Sequence, residues 1–143
     1  MKSFLDTNIL LYAGSNALKD AAKKEAASAL VAPLDFCIST QVIQEYLSNA
    51  LGKKDLGISE AQIDTTLTCL ADVPVQAVTY SLIIKAWQLR SRFKVSHWDA
   101  TIIAAALELG CHTLYSEDFN HGQDYGGVRV VNPFLDGAAA SPI

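Results

Sequence analysis

The sequence predicts an α/β domain built on a mainly parallel sheet, and two observations carry that expectation. Short apolar runs alternate with longer stretches of helical periodicity along the whole chain, the pattern of strands joined by crossover helices. The chain has 143 residues, half of them hydrophobic and 18% charged, which fits one domain with one core and excludes a disordered or low-complexity protein.

Lys2–Leu5 is the first extended run; it stops at Asp6, which suits the N-cap of a helix starting at Thr7. Ala17–Leu30 is Ala- and Lys-rich with helical spacing, and Asp35–Ser39 is the second short run. Thr40–Leu51 returns to helical periodicity and ends at Gly52; Ser59–Leu70 follows with Ser59 as its cap. Val73–Val78 is the third extended run, Thr79–Phe93 a long helix, and Ser96 opens another helix that closes at Gly110. His112–Tyr115 and Val128–Val131 complete the strands. Right-handed crossovers would cover both sheet faces. No internal repeat is present, and the linker-like segments, Gly52–Gly57 and Asn120–Gly127, are short. The tail 136–143 is small, polar and Pro-containing and is expected to fray, leaving 1–135 as the folded domain.

Several function classes fall away on composition. Eleven Lys+Arg against fifteen Asp+Glu give a net charge of −4, unlike an ordinary polybasic nucleic-acid binder. No apolar stretch is long enough to span a bilayer, and Asp6 interrupts the N-terminus before a signal peptide can form. Cys37, Cys69 and Cys111 are scattered without a C-x-x-C pair, as expected of buried thiols in a cytoplasmic protein. Neither G-x-G-x-x-G nor G-x-x-x-x-G-K-[ST] occurs, which argues against nucleotide binding.

In open parallel sheets, sites form at the carboxyl ends of strands, so acids just beyond the apolar runs are the candidates. There are four. Asp6 ends the first run, and Glu45 lies near the start of the helix after the second. Asp99 is in the first turn of the helix opened by Ser96, and Asp118 follows the fourth run. Each has an ordinary structural explanation; Asp99 has the strongest, because Ser96-x-x-Asp99 is the spacing of a capping box. As a set they suggest one cleft whose repulsion requires a cation, and oxygen ligands suit Mg²⁺ or Mn²⁺. Without these four acids the remaining eleven would balance the eleven Lys+Arg, so the net charge could reside in the site.

The pieces Phe4-Leu5-Asp6-Thr7-Asn8-Ile9-Leu10, Gln41–Tyr46, Asp99–Ala106, Ser116–Phe119 and Gly127–Phe134 resemble the PIN-domain family, and within it the toxin ribonucleases of VapC type. The resemblance spans Lys2–Phe134 and implies a three-layer domain with a five-stranded parallel sheet flanked by helices. It further implies metal-dependent endoribonuclease activity, a homodimer, and a cognate antitoxin protein that blocks the site. Carried over by motif, Asp6, Glu45, Asp99 and Asp118 are the metal-holding catalytic acids, with Asn8 and Ser116 orienting them. Glu117, beside Asp118, is able to share its role.

RNA must still be attracted to an acidic protein. Arg90, Arg92 and Lys94 form the compact cationic cluster nearest these acids and are expected to hold phosphates; they also suit the C-terminal end of a long helix. His97 and Trp98 invite base stacking, although a tryptophan there reads more readily as core. Two rival readings remain. A haloacid-dehalogenase-like phosphatase also places an Asp after its first strand, but wants a second Asp where this chain has Asn8. A non-catalytic PIN-fold binding module would not need four intact acids.

Overall fold

The first strand is three residues long because Asp6 must leave the sheet to cap a helix. In the computed structural model, which describes residues 2–135, β1 is Ser3–Leu5 and α1 is Thr7–Gly14. The Asp6 carboxylate accepts from the Thr7 N–H at 2.7 Å, turning the chain from strand to helix in one residue. A short 3₁₀ turn, Leu18–Asp20, leads into α2 (Ala21–Val31). Then follow β2 (Ile38–Ser39), α3 (Thr40–Gly52), α4 (Glu60–Leu70), β3 (Val75–Gln76) and α5 (Tyr80–Phe93). The chain ends with α6 (His97–Glu108), β4 (Thr113–Tyr115) and β5 (Arg129–Val131). The expected tail, 136–143, lies outside the described residues.

The caps expected at Asp6 and Ser59 form, as does the serine half of the one at Ser96, and Ser39 and Thr79 supply two that the sequence reading did not assign. Ser59 makes a full capping box with Gln62, and Ser39, Thr79 and Ser96 each accept from the N–H three residues on. The residue that ends α5, Lys94, is left-handed at φ 54°, a conformation usually given to glycine.

All strand pairs are parallel. β1 pairs with β4 and β4 with β5, with Phe4 opposite Leu114 and Leu114 opposite Val130; β2 pairs separately with β3. The expectation of one five-stranded sheet is met only in part: there is a three-stranded sheet and a two-stranded one, joined at a single bridge, Phe4–Cys37. The reason is local. Ser39 must cap α3, so the chain leaves the sheet plane two residues after Cys37 and no further ladder can form. Two backbone hydrogen bonds, Cys37 N–H to Ser3 O (2.8 Å) and Leu5 N–H to Cys37 O (3.1 Å), carry that junction.

The core lies where helices cover these strands. Phe4, Ile38, Leu114 and Val130 are fully buried, and α6 contributes an unbroken buried run from Ala100 to Ala106. Such a run is what a helix needs when it is covered on more than one side. Cys37 and Cys111 are buried free thiols beside one another, and burial pushes the Cys111 thiol up to about 12, so it is chemically quiet. Leu114 sits in the central strand with its side chain wholly enclosed. Leu114→Ala is expected to cost about 2–5 kcal/mol, read as a lower urea midpoint with little change in slope. Among the described residues, no helix is long and apolar enough to cross a membrane.

Candidate active site

β1 and β4 end side by side, Leu5 opposite Tyr115, so the next residues, Asp6 and Ser116, meet although they are 110 positions apart. Ser116 Oγ donates to Asp6 Oδ2 at 2.7 Å and accepts from the Asp118 N–H at 3.0 Å. Asn8, the second residue of α1, donates through Nδ2 to Asp118 Oδ2 at 3.0 Å, with Ser116 Oγ at 3.5 Å. Asn8 and Ser116 therefore tie together acids from opposite ends of the chain.

The other half comes from α3 and α6. Glu45 accepts from the Thr7 hydroxyl at 2.7 Å and from Gln41 Nε2 at 3.0 Å; Gln41 also donates to the Trp98 carbonyl at 3.1 Å, which holds the start of α6 beside α3. Asp99 sits on the first turn of α6, and only the serine half of the expected capping box forms, Ser96 Oγ accepting from the Asp99 N–H at 3.1 Å. Asp6, Glu45, Asp99 and Asp118 line a single cleft of about 320 Å³. Four segments scattered over the sequence thus converge on one face.

The electrostatics match that crowding. Asp6 is 5% exposed, and burial pushes its carboxyl up to about 7. The Ser116 and Thr7 hydrogen bonds oppose the rise, while the charges of Asp118 and Glu45 add to it. Burial also raises Asp99 above the usual carboxylate range, with Asp118 and Glu45 contributing. Glu117 lines the cleft too, but its carboxylate is held by Lys23 Nζ at 3.0 Å; that lysine also reaches the Tyr12 hydroxyl and lies 4.7 Å from the Tyr12 ring centroid. Lys53 is the one basic residue lining the cleft among the described residues.

The cationic cluster lies elsewhere. Arg90 stacks on Trp87 (4.5 Å) and Arg92 on Phe93 (4.7 Å) near Gly126, and neither they nor Lys94 line the acidic cleft. Sequence reasoning assigned no role to Thr7, Gln41, Lys23 or Lys53. Gln41 was the most detectable, because it stands four residues before Glu45 on one helix face. Lys23 and Lys53 carried no such signal. Trp98 also departs from the core reading: it is 65% exposed.

The donor set suits a hard divalent ion. It is all oxygen, Asp6 is enclosed without a basic partner, and the buried Asn8 Oδ1 has no hydrogen-bond partner among the described residues. Among the described residues no three acids stand close enough to surround an ion; Glu45 is turned to Thr7 and Gln41, and Asp118 to Asn8.

The PIN domain family model matches residues 3–123, which includes every one of these acids. The chain belongs to the PIN domain family. Its fold recurs in solved structures at low identity. One is a toxin–antitoxin complex from Klebsiella pneumoniae, 24% identical, covering 92% of this PIN domain chain and 97% of that one, with TM-score 0.59. Another is FitAcB from Neisseria gonorrhoeae, 21% identical, covering 94% and 99%, with TM-score 0.66. A third is VapC20 from Mycobacterium tuberculosis, described as a sarcin–ricin loop cleaving toxin, 21% identical over 81% and 91%, with TM-score 0.59. At these identities the likeness shows that the PIN fold is shared. No curated protein sequence matches this PIN domain.

Proposed function

We propose that this protein is a Mg²⁺- or Mn²⁺-dependent endoribonuclease acting as the toxin of a type II toxin–antitoxin pair, and that it works in the cytoplasm. The observation that carries the reading is the convergence of Asp6, Glu45, Asp99 and Asp118 on one cleft. These four would hold the ion once the Glu45 and Asp118 side chains turn toward it. When bound, it supplies charge neutralisation at the scissile phosphate and a more acidic attacking water. The chain's own groups do the rest. Ser116 and Asn8 fix Asp6 and Asp118, while Thr7 and Gln41 fix Glu45. Asp99, partly exposed at the cleft, is placed to take a proton from water. Glu117 serves from the rim with its charge matched by Lys23. Lys53 meets a phosphate oxygen at the cleft, and Arg90, Arg92 and Lys94 hold phosphates farther along the strand.

The partner we propose is a cognate antitoxin protein that covers this cleft, in keeping with the toxin–antitoxin complex among the similar solved structures; the toxin itself is proposed to be a homodimer. Purified protein free of any antitoxin is expected to cut a structured RNA in Mg²⁺ or Mn²⁺ and to stop on addition of EDTA. Cleavage that continues in excess chelator would overturn the metal-dependent reading.

A further inference from the structure

Five carboxylates line the acidic cleft, and one of them differs from the rest in what holds it. Asp6 accepts from the Ser116 hydroxyl and the Thr7 N–H, Glu45 from the Thr7 hydroxyl and the Gln41 amide, and Asp118 from the Asn8 amide. All of these donors are neutral. Among the described residues, Glu117 alone of the five is paired with a charge, Lys23 Nζ standing 3.0 Å from its Oε1. Lys23 is itself held from several sides. Its Nζ donates to the Tyr12 hydroxyl at 3.2 Å and lies over two rings, 4.7 Å from the Tyr12 centroid and 5.4 Å from that of Phe134. Those rings brace each other edge-on at 5.0 Å. The ammonium comes from α2 and the rings from α1 and the chain after β5, so three separate segments fix where the charge sits.

The contrast matters when an ion enters. To turn toward it, Glu45 and Asp118 give up hydrogen bonds to neutral groups, which water replaces at small net cost. Glu117 would have to give up a charge-assisted bond, roughly twice as strong, and leave the ammonium against two rings and a phenol without its counter-charge. We infer that Lys23 is a positioning residue that withholds Glu117 from the ion, so that the cleft offers four carboxylates and not five. Glu117 then has a part distinct from that of Asp118, although the two are adjacent. The inference rests on the metal-dependent reading above.

Mn²⁺ binding, followed by the electron paramagnetic resonance signal of the free ion, tests this without RNA or turnover. Lys23→Met keeps most of the side chain's length and removes its charge. It is expected to bind Mn²⁺ about five- to tenfold more tightly than the wild type, because the affinity of oxygen-ligand sites follows their ligand charge. In a Glu117→Gln background the same substitution is expected to change the affinity by less than about twofold, since the acid it would release is gone. Lys23→Gln should repeat the effect of Lys23→Met, whereas Lys23→Arg, still able to pair with Glu117, should not. Single-turnover cleavage is expected to fall about tenfold in Lys23→Met and to return, in Lys23→Met/Glu117→Gln, to the rate of Glu117→Gln alone. Equal tightening with and without Glu117 would make Lys23 no more than a source of general positive field and would overturn the inference. So would an unchanged Mn²⁺ affinity in folded Lys23→Met or Lys23→Gln. Cleavage that resists chelator while the Mn²⁺ cycle behaves as expected would sink the nuclease reading and leave the role of Lys23 standing. A wild-type protein that binds no Mn²⁺ would remove both.

Discussion

Asp6→Asn is expected to raise the melting temperature of the metal-free protein at pH 8 and to abolish the increase that Mn²⁺ gives the wild type. The folded carboxyl titrates near 7 against an ordinary value of 3.8, because burial disfavours its charge. A group whose folded pKa is raised binds more protons folded than unfolded between those two values. Stability therefore falls as pH rises from about 4 to 7 and then levels off. The full cost at pH 8 is roughly 4 kcal/mol. Asparagine removes it but fits less well opposite the Ser116 hydroxyl, which already accepts from the Asp118 N–H. A net gain of about 1–2 kcal/mol, some 3–8 °C, is the expected balance at pH 8. At pH 4 the gain should vanish, since Asp6 is then protonated in the folded wild type. Thermal melts at both pH values, with and without Mn²⁺, check this. A variant that melts lower at pH 8 and still responds to Mn²⁺ would make Asp6 a helix cap only.

The second large effect separates two roles at the start of α6. Ser96→Ala removes the acceptor for the Asp99 N–H and is expected to cost about 1 kcal/mol while most RNA cleavage survives. Asp99→Asn keeps the shape and the cap but lowers the charge facing the cleft. It is expected to stay folded and lose more than about a hundredfold in cleavage rate. Paired melting curves and single-turnover assays decide the matter. The opposite pattern would assign Asp99 to the helix and leave Asp6, Glu45 and Asp118 to form the site.

Local chemistry explains which features could be read in advance. Ser59 and Ser96 cap helices through bonds spanning three residues, and the strands begin and end within a few residues of their apolar runs. The four acids were visible because strand ends in parallel sheets are where sites form. The break between the two sheets was not visible, because it follows from Ser39 doing two jobs at once. Nor was the pairing of Lys23 with Glu117, which depends on how α2 lies against the β4 end. Trp98 misled for a related reason: an indole in an apolar helix looks like core until the helix's orientation is known. Arg90, Arg92 and Lys94 are close to Asp99 in sequence, yet the turn at Lys94 leaves them outside the cleft lining.

The bond between Ser116 and Asp6 also fixes when the site can exist. During synthesis β1 emerges first, but the strand that completes its edge, with Ser116 and Asp118 behind it, follows 110 residues later. At ordinary translation speeds that interval is roughly 5–20 s. Throughout it the nascent chain carries Asp6 and Asn8 without the Ser116 and Asp118 groups that they bind. A ribosome stalled anywhere before residue 118 therefore releases no assembled acidic cleft, and the order of the chain itself delays the cleft until β4 and the residues behind it have been made.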